Sequence, residues 1–134
     1  MKIDSITLHH LSMPLVSPFE TSFGRETDRE CVLIEVKSEG LTGYGECVAT
    51  RDPGSNYDTT GTAIHILKDF IVPLILGRDV KDAADFQNLA SGIRGHCLAK
   101  AGVEMAIWDL LGKRENKSLR EMVGFSAFVS IGSM

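Results

Sequence analysis

The strongest constraint on this chain is the order of its hydrophobic periods: strand-like patterns come first and helix-like patterns follow. Residues 2–13 carry Ile3, Ile6, Leu8 and Leu11 among polar residues. Cys31 to Lys37 is β-branched and half alternating, as suits a strand with one covered face. Glu39–Gly40 supplies a turn, and Leu41 to Val48 returns as an antiparallel partner. Pro14 and Pro18 are expected to force an irregular loop through Ser22–Phe23–Gly24. A polar stretch from Thr50 to Thr60, centred on Pro53–Gly54, is a long loop of the functional or disordered kind.

From there the period changes. Ala63, Leu67, Phe70, Ile71 and Leu74 share one helical face that ends near Pro73–Gly77. Asp79 followed by Asp82 is expected to open a second helix to about Ser91, stopped by Gly92 and Gly95. Residues 97–113 give the clearest helix, with Ala99, Val103, Ala106, Ile107 and Leu110 as its apolar stripe. Ser118 to Glu121 has capping-box form and starts a short helix closed by Gly124. Strands followed by helices predict an α+β domain: a three-stranded antiparallel β-sheet followed by a helical layer on one side.

Composition narrows the function classes. With 43% hydrophobic and 24% charged residues the chain can build a real core. A net charge of −4, with no Lys/Arg run longer than a pair, argues against nucleic acid and anionic membranes as partners. Pro73 and Gly77 interrupt the longest apolar runs, so no membrane span is expected. The opening MKIDSITLHH lacks the apolar core of a signal peptide, which makes a cytoplasmic protein the default expectation. Val123 to Met134 carries no charge, and residues 128–131 read as a strand, so this tail is expected to belong to a larger body.

No metalloprotease, phosphate-loop or nucleophile-elbow pattern occurs. Gly43–Tyr44–Gly45–Glu46 lacks the rest of a dinucleotide fingerprint, and its glycines read as sites of sheet twist or close backbone approach. The three cysteines, Cys31, Cys47 and Cys97, lack metal or disulfide spacing and are expected to be packed thiols. Glu46 could be a buried, paired carboxylate. Glu104 and Asp109 lie five residues apart and do not closely share a helical face; Glu104 reads as a partner contact and Asp109 as a polar helix residue. His9 and His10 face opposite ways, His65 falls off the apolar stripe, and His96 stands at an element boundary as a capping or packing residue. Trp108 is expected to be buried against the core or a neighbouring domain. Two loops offer more: residues 18–24, with two aromatics and two hydroxyls, and residues 48–57, ending on an aromatic. Such loops suit a lid over a ligand, or an ordinary surface.

The order of PFETSFG (18–24), GYGECV (43–48), HCLAKAGVEMAIWDLLGK (96–113), SLREMVG (118–124) and VSIG (129–132) resembles the N-terminal part of enolase-superfamily enzymes. The branch it is most similar to holds o-succinylbenzoate synthases and N-acylamino-acid racemases. This resemblance implies a capping domain at 1–125, followed at 126–134 by a linker and the start of a (β/α) barrel that carries the chemistry. In such enzymes a divalent metal, usually Mg²⁺, stabilises an enolate formed by proton abstraction α to a carboxylate. Its ligands and the catalytic lysines lie on the barrel, so no catalytic or metal-binding residue is expected in this chain. The resemblance assigns Phe19, Thr21, Ser22 and Phe23 to a first substrate loop and Thr50 and Tyr57 to a second, where the aromatic is delayed by Pro53–Gly54–Ser55–Asn56. Ser130 resembles a barrel-strand serine near the substrate. The implied partners are a C-terminal barrel and a small carboxylate substrate. A free-standing acid-binding or oligomerising module is the competing expectation, and a domain-swapped homodimer is compatible with either.

Overall fold

The computed structural model describes residues 1–124. Three strands, β1 (Ser5–Thr21), β2 (Gly24–Ser38) and β3 (Leu41–Cys47), form one antiparallel sheet in the order β1-β2-β3. Helices follow: α1 (Thr60–Ile66), a π-helical turn (Leu67–Ile71), α2 (Val72–Ile75), α3 (Ala83–Leu89) with a 3₁₀ turn (Ala90–Gly92), α4 (Cys97–Glu115) and α5 (Leu119–Met122). The α+β architecture expected from the order of periods is the one observed.

The sheet departs from expectation at its far end. β1 does not break at Pro14 but runs on to Thr21, paired with a β2 that starts at Gly24 rather than Cys31. Pro14 still faces Asp28, and after a register shift Phe19 faces Glu26 and Thr21 faces Gly24. An edge strand tolerates prolines because one side of it owes no ladder hydrogen bonds, and the bulge between Pro14 and Phe19 absorbs the mismatch. The first loop is therefore the tip of a two-stranded arm, most of whose residues beyond Leu11 are exposed.

α4 lies directly on the sheet. Its stripe of Ala99, Val103, Ala106, Ile107 and Leu110 is buried against Val32, Ile34 and Val36 of β2. The contact with β3 is backbone on backbone. A Cβ on Gly43 would stand 2.2 Å from the Ala106 carbonyl oxygen, and one on Gly45 only 1.8 Å from that of Gly102. Gly102 makes the same approach from the helix, where a Cβ would meet Ile34 Cδ1 at 2.6 Å. Gly43 and Gly45 thus serve close backbone approach, one of the two roles expected of them in the strand.

Three local expectations are corrected. In the first helix Ala63, Leu67, Ile71 and Ile75 are buried while Phe70 is half exposed. The π turn before Pro73 widens the helix and turns the stripe, and it lies where the proline ring would press on the preceding turn. Asp82, not Asp79, caps α3 by accepting from the Asp85 amide. Asp79 instead takes the Met1 ammonium at 2.5 Å, where Met1–Ile3 is stitched to residues 77–80 by backbone hydrogen bonds. Cys31 and Cys47 are buried as expected, but Cys97 is exposed at the start of α4.

Candidate functional site

The arm and the loop after β3 meet across a groove of about 420 Å³. Phe19, Thr21 and Phe23 form its arm side, and Thr50, Asp52 and Gly54 its loop side. At the tip the Phe23 amide donates to Thr21 Oγ1 at 3.2 Å, which closes the turn through Ser22. A Cβ on Gly54 would lie 3.5 Å from Phe23 Cβ, so the two loops touch there. Phe19 and Phe23 are 53% and 69% exposed, which leaves their rings free to contact a ligand.

Arginines complete the walls. The Arg29 guanidinium sits 5.9 Å from the Phe19 ring centre and pairs with Glu26 at 3.3 Å. Arg51 donates through Nε and Nη2 to Glu30 Oε1, both at 2.8 Å. The opposite oxygen of Glu30 lies 3.4 Å from His10 Nε2. The Arg51 hydrogen bond, opposed by partial burial and assisted by His10, holds the Glu30 carboxyl below its usual range. Arg29 escaped the sequence reading because the prolines hid the outer half of β2, while Arg51 lay within the polar 50–60 stretch with nothing local to show its Glu30 partner. Extending that strand to Gly24 would have shown Arg25, Thr27 and Arg29 at a period of two.

Of the residues assigned by resemblance, the structure brings Phe19, Thr21, Phe23 and Thr50 to one groove. Ser22 is exposed at the tip but does not line it, and Tyr57 stands apart in a separate concavity with residues 53–56. Ser130 and the boundary at 125–126 lie outside the described residues. A larger concavity of about 660 Å³ runs along α4 and α5 past Tyr44, Met105, Trp108 and Leu119, and none of the loop residues reaches it.

Apart from Glu46, the acids and imidazoles singled out in the sequence pair with neighbouring groups. Glu46 is exposed on β3, not buried as a paired acid, because the inward positions of that strand belong to Gly43, Gly45 and Cys47. Glu104 accepts from Gln87 Nε2 at 3.0 Å and Trp108 Nε1 at 3.4 Å, and the Trp108 ring is only half buried. Asp109 accepts from the Tyr44 amide at 2.9 Å and from Lys113 Nζ at 2.8 Å. His9 pairs with Glu35, His65 with Asp69 and His96 with Asp58. Among the described residues no three His, Cys, Asp or Glu side chains converge to hold a metal ion. The described residues do not fit a Mg²⁺ site, which needs several converging oxygen ligands. No helix among them is long and apolar enough to cross a membrane.

Comparison with known proteins places this geometry. The family described as "Mandelate racemase / muconate lactonizing enzyme, N-terminal domain" matches residues 3–124. The chain is 37% identical over 125 residues to an o-succinylbenzoate synthase of Bacillus subtilis, covering 92% of this chain and 34% of that protein. It is 36% identical over 124 residues to an N-succinylamino acid racemase of Thermus thermophilus, with the same coverage. Among solved structures, an enolase-superfamily member from Listeria innocua superposes with a TM-score of 0.88 at 38% identity, over 92% of this chain and 34% of that one. The chain spans about a third of the length of these relatives.

Proposed function

The chain belongs to the mandelate racemase / muconate lactonizing enzyme N-terminal domain family of the enolase superfamily, and we propose that it is the substrate-specificity domain of an o-succinylbenzoate synthase or N-acylamino-acid racemase. In this reading the groove between the arm and the β3 loop caps a pocket whose reactive groups stand on a C-terminal barrel. Phe19, Thr21, Ser22 and Phe23 face the substrate from the arm, and Thr50 and Tyr57 from the second loop. Ser130 joins them from the first barrel strand, after a boundary near residue 125. The aromatic rings exclude water from an acyl or cyclohexadiene portion of the substrate, and the hydroxyls orient its polar atoms. Mg²⁺ bound on the barrel supplies the charge that stabilises an enolate. The cytoplasm is the expected compartment.

The observation that carries this reading is the assembly of Phe19, Thr21, Phe23 and Thr50 around one groove. The names of the relatives supply the two reactions, and both name a succinyl-bearing compound. The test is to join this domain to the barrel of the Bacillus subtilis synthase in place of that enzyme's own first third. Turnover by the folded hybrid, with none by residues 1–134 alone, is the expected outcome. A folded but inactive hybrid, or turnover by the isolated chain, would contradict it.

A further inference from the structure

His96 occupies a conformation that needs a reason. It precedes α4 with φ 52° and ψ 45°, its side chain makes no cap hydrogen bond to the helix, and the preceding Gly95 is also left-handed at φ 69°. A non-glycine residue held there costs of order 1 kcal/mol and persists only where its surroundings impose it. Two side chains of the second loop impose it here. His96 Nδ1 is hydrogen-bonded to Asp58 Oδ1 at 3.2 Å, and Asp58 is only 3% exposed. Tyr57 meets the same imidazole edge-on at 6.5 Å between ring centres, and its hydroxyl would stand 3.1 Å from a Cβ on Gly95. The left-handed pair of residues thus presents a ring to Asp58 and bare backbone to Tyr57.

The two ends of the loop are also tied to each other. The Thr60 amide donates to the Thr50 carbonyl at 2.8 Å and the Thr60 hydroxyl to the Ala49 carbonyl at 3.1 Å. Glu30 holds Arg51 from the arm. Between these ties, Asp52, Gly54 and Ser55 form the far wall of the groove, with Gly54 against Phe23. Asp58 is the last loop residue before the helix cap Thr59, and its carboxylate is the deepest anchor of that wall. A buried carboxylate cannot shed its partner without heavy cost, so the loop cannot swing from α4 while Asp58 stays buried.

We propose that Asp58 and His96 form a positioning pair that fixes the 51–58 loop before any ligand arrives. The groove's far wall is then preset, and substrate selection by this loop rests on a fixed surface. This rests on the capping-domain reading, but it is judged on the loop itself, so its failure leaves the hybrid-turnover test standing.

The experiment is amide hydrogen exchange on the 134-residue chain, with ¹⁵N imidazole spectra of His96. In Asp58→Ala the amides of Thr59 and Thr60 should exchange about tenfold faster or more relative to those of Ile34 and Ala106. The His96 imidazole resonances should shift in the same variant. Asp58→Asn, which keeps a hydrogen-bond acceptor, should restore most of the protection. His96→Ala provides the same comparison from the other partner if Asp58→Ala does not fold. Unchanged loop exchange would overturn the proposal, as would a uniform acceleration of loop and core amides, since the pair would then contribute only general stability.

Discussion

Gly45 in β3 rests so closely on Gly102 in α4 that a Cβ at position 45 would stand 1.8 Å from the Gly102 carbonyl oxygen. The sheet and its helix therefore meet through backbone, with no side-chain layer between them at this point. The same helix carries His96 at its start and Asp109 near its end, so its height above the sheet positions both the second loop and β3.

Substituting Gly45→Ala should consequently cost about 3 kcal/mol, the upper end of ordinary overpacking, because backbone cannot rotate out of the way as a side chain does. Gly92→Ala is the control: nothing lies within 4 Å of its Cβ position. Its effect should stay within about 0.5 kcal/mol. Urea unfolding of the two variants checks the difference.

Acid should loosen the chain's first residues before its core. The Met1 ammonium, by hydrogen bond and charge, holds the Asp79 carboxyl below its ordinary value of 3.8. A carboxyl depressed by folding contributes stability that is present above its unfolded pKa and lost as pH falls through the folded one. The loss therefore falls below about pH 4. Asp79→Asn should remove that part of the acid dependence, leaving neutral-pH stability slightly lower because Asp79 is exposed. Denaturant midpoints between pH 2 and 7 measure it.

The thiols should separate by burial. Desolvation pushes the Cys47 thiol up, and for Cys31 the neighbouring Glu46 adds to the same effect. Cys97 is exposed. A disulfide reagent at pH 8 should modify one of the three cysteines quickly in the folded chain and the other two only on unfolding. Cys97→Ser should abolish the fast phase.

Much of the scaffold was legible because its signals are local. The stripe from Ala99 to Leu110 has helical spacing, and all five of its residues are buried. The Ser118–Glu121 box is formed as written, with Ser118 capping the Glu121 amide and Glu121 answering to Ser118. What was not legible depends on distant partners. Asp79 looked like a helix cap, but its partner is Met1, 78 positions away. Pro14 looked like a strand end because nothing local reveals that β1 is an edge. The Asp58–His96 pair joins residues 38 apart whose spacing carries no motif. The groove was half visible: its aromatics and hydroxyls stood out in a loop, while Arg29 and the Glu30 partner of Arg51 were found only once the arm was folded.

The central claim is that this domain shapes a pocket without supplying its reactive groups. It is tested most directly by steady-state kinetics of the hybrid enzyme described above, carrying Phe19→Ala and Phe23→Ala. Loss of the two rings should lower kcat/KM by about 10- to 200-fold through weaker substrate binding, with the Mg²⁺ requirement unchanged. An unchanged kcat/KM in a folded double variant would mean that the groove does not face the substrate, and would contradict the account.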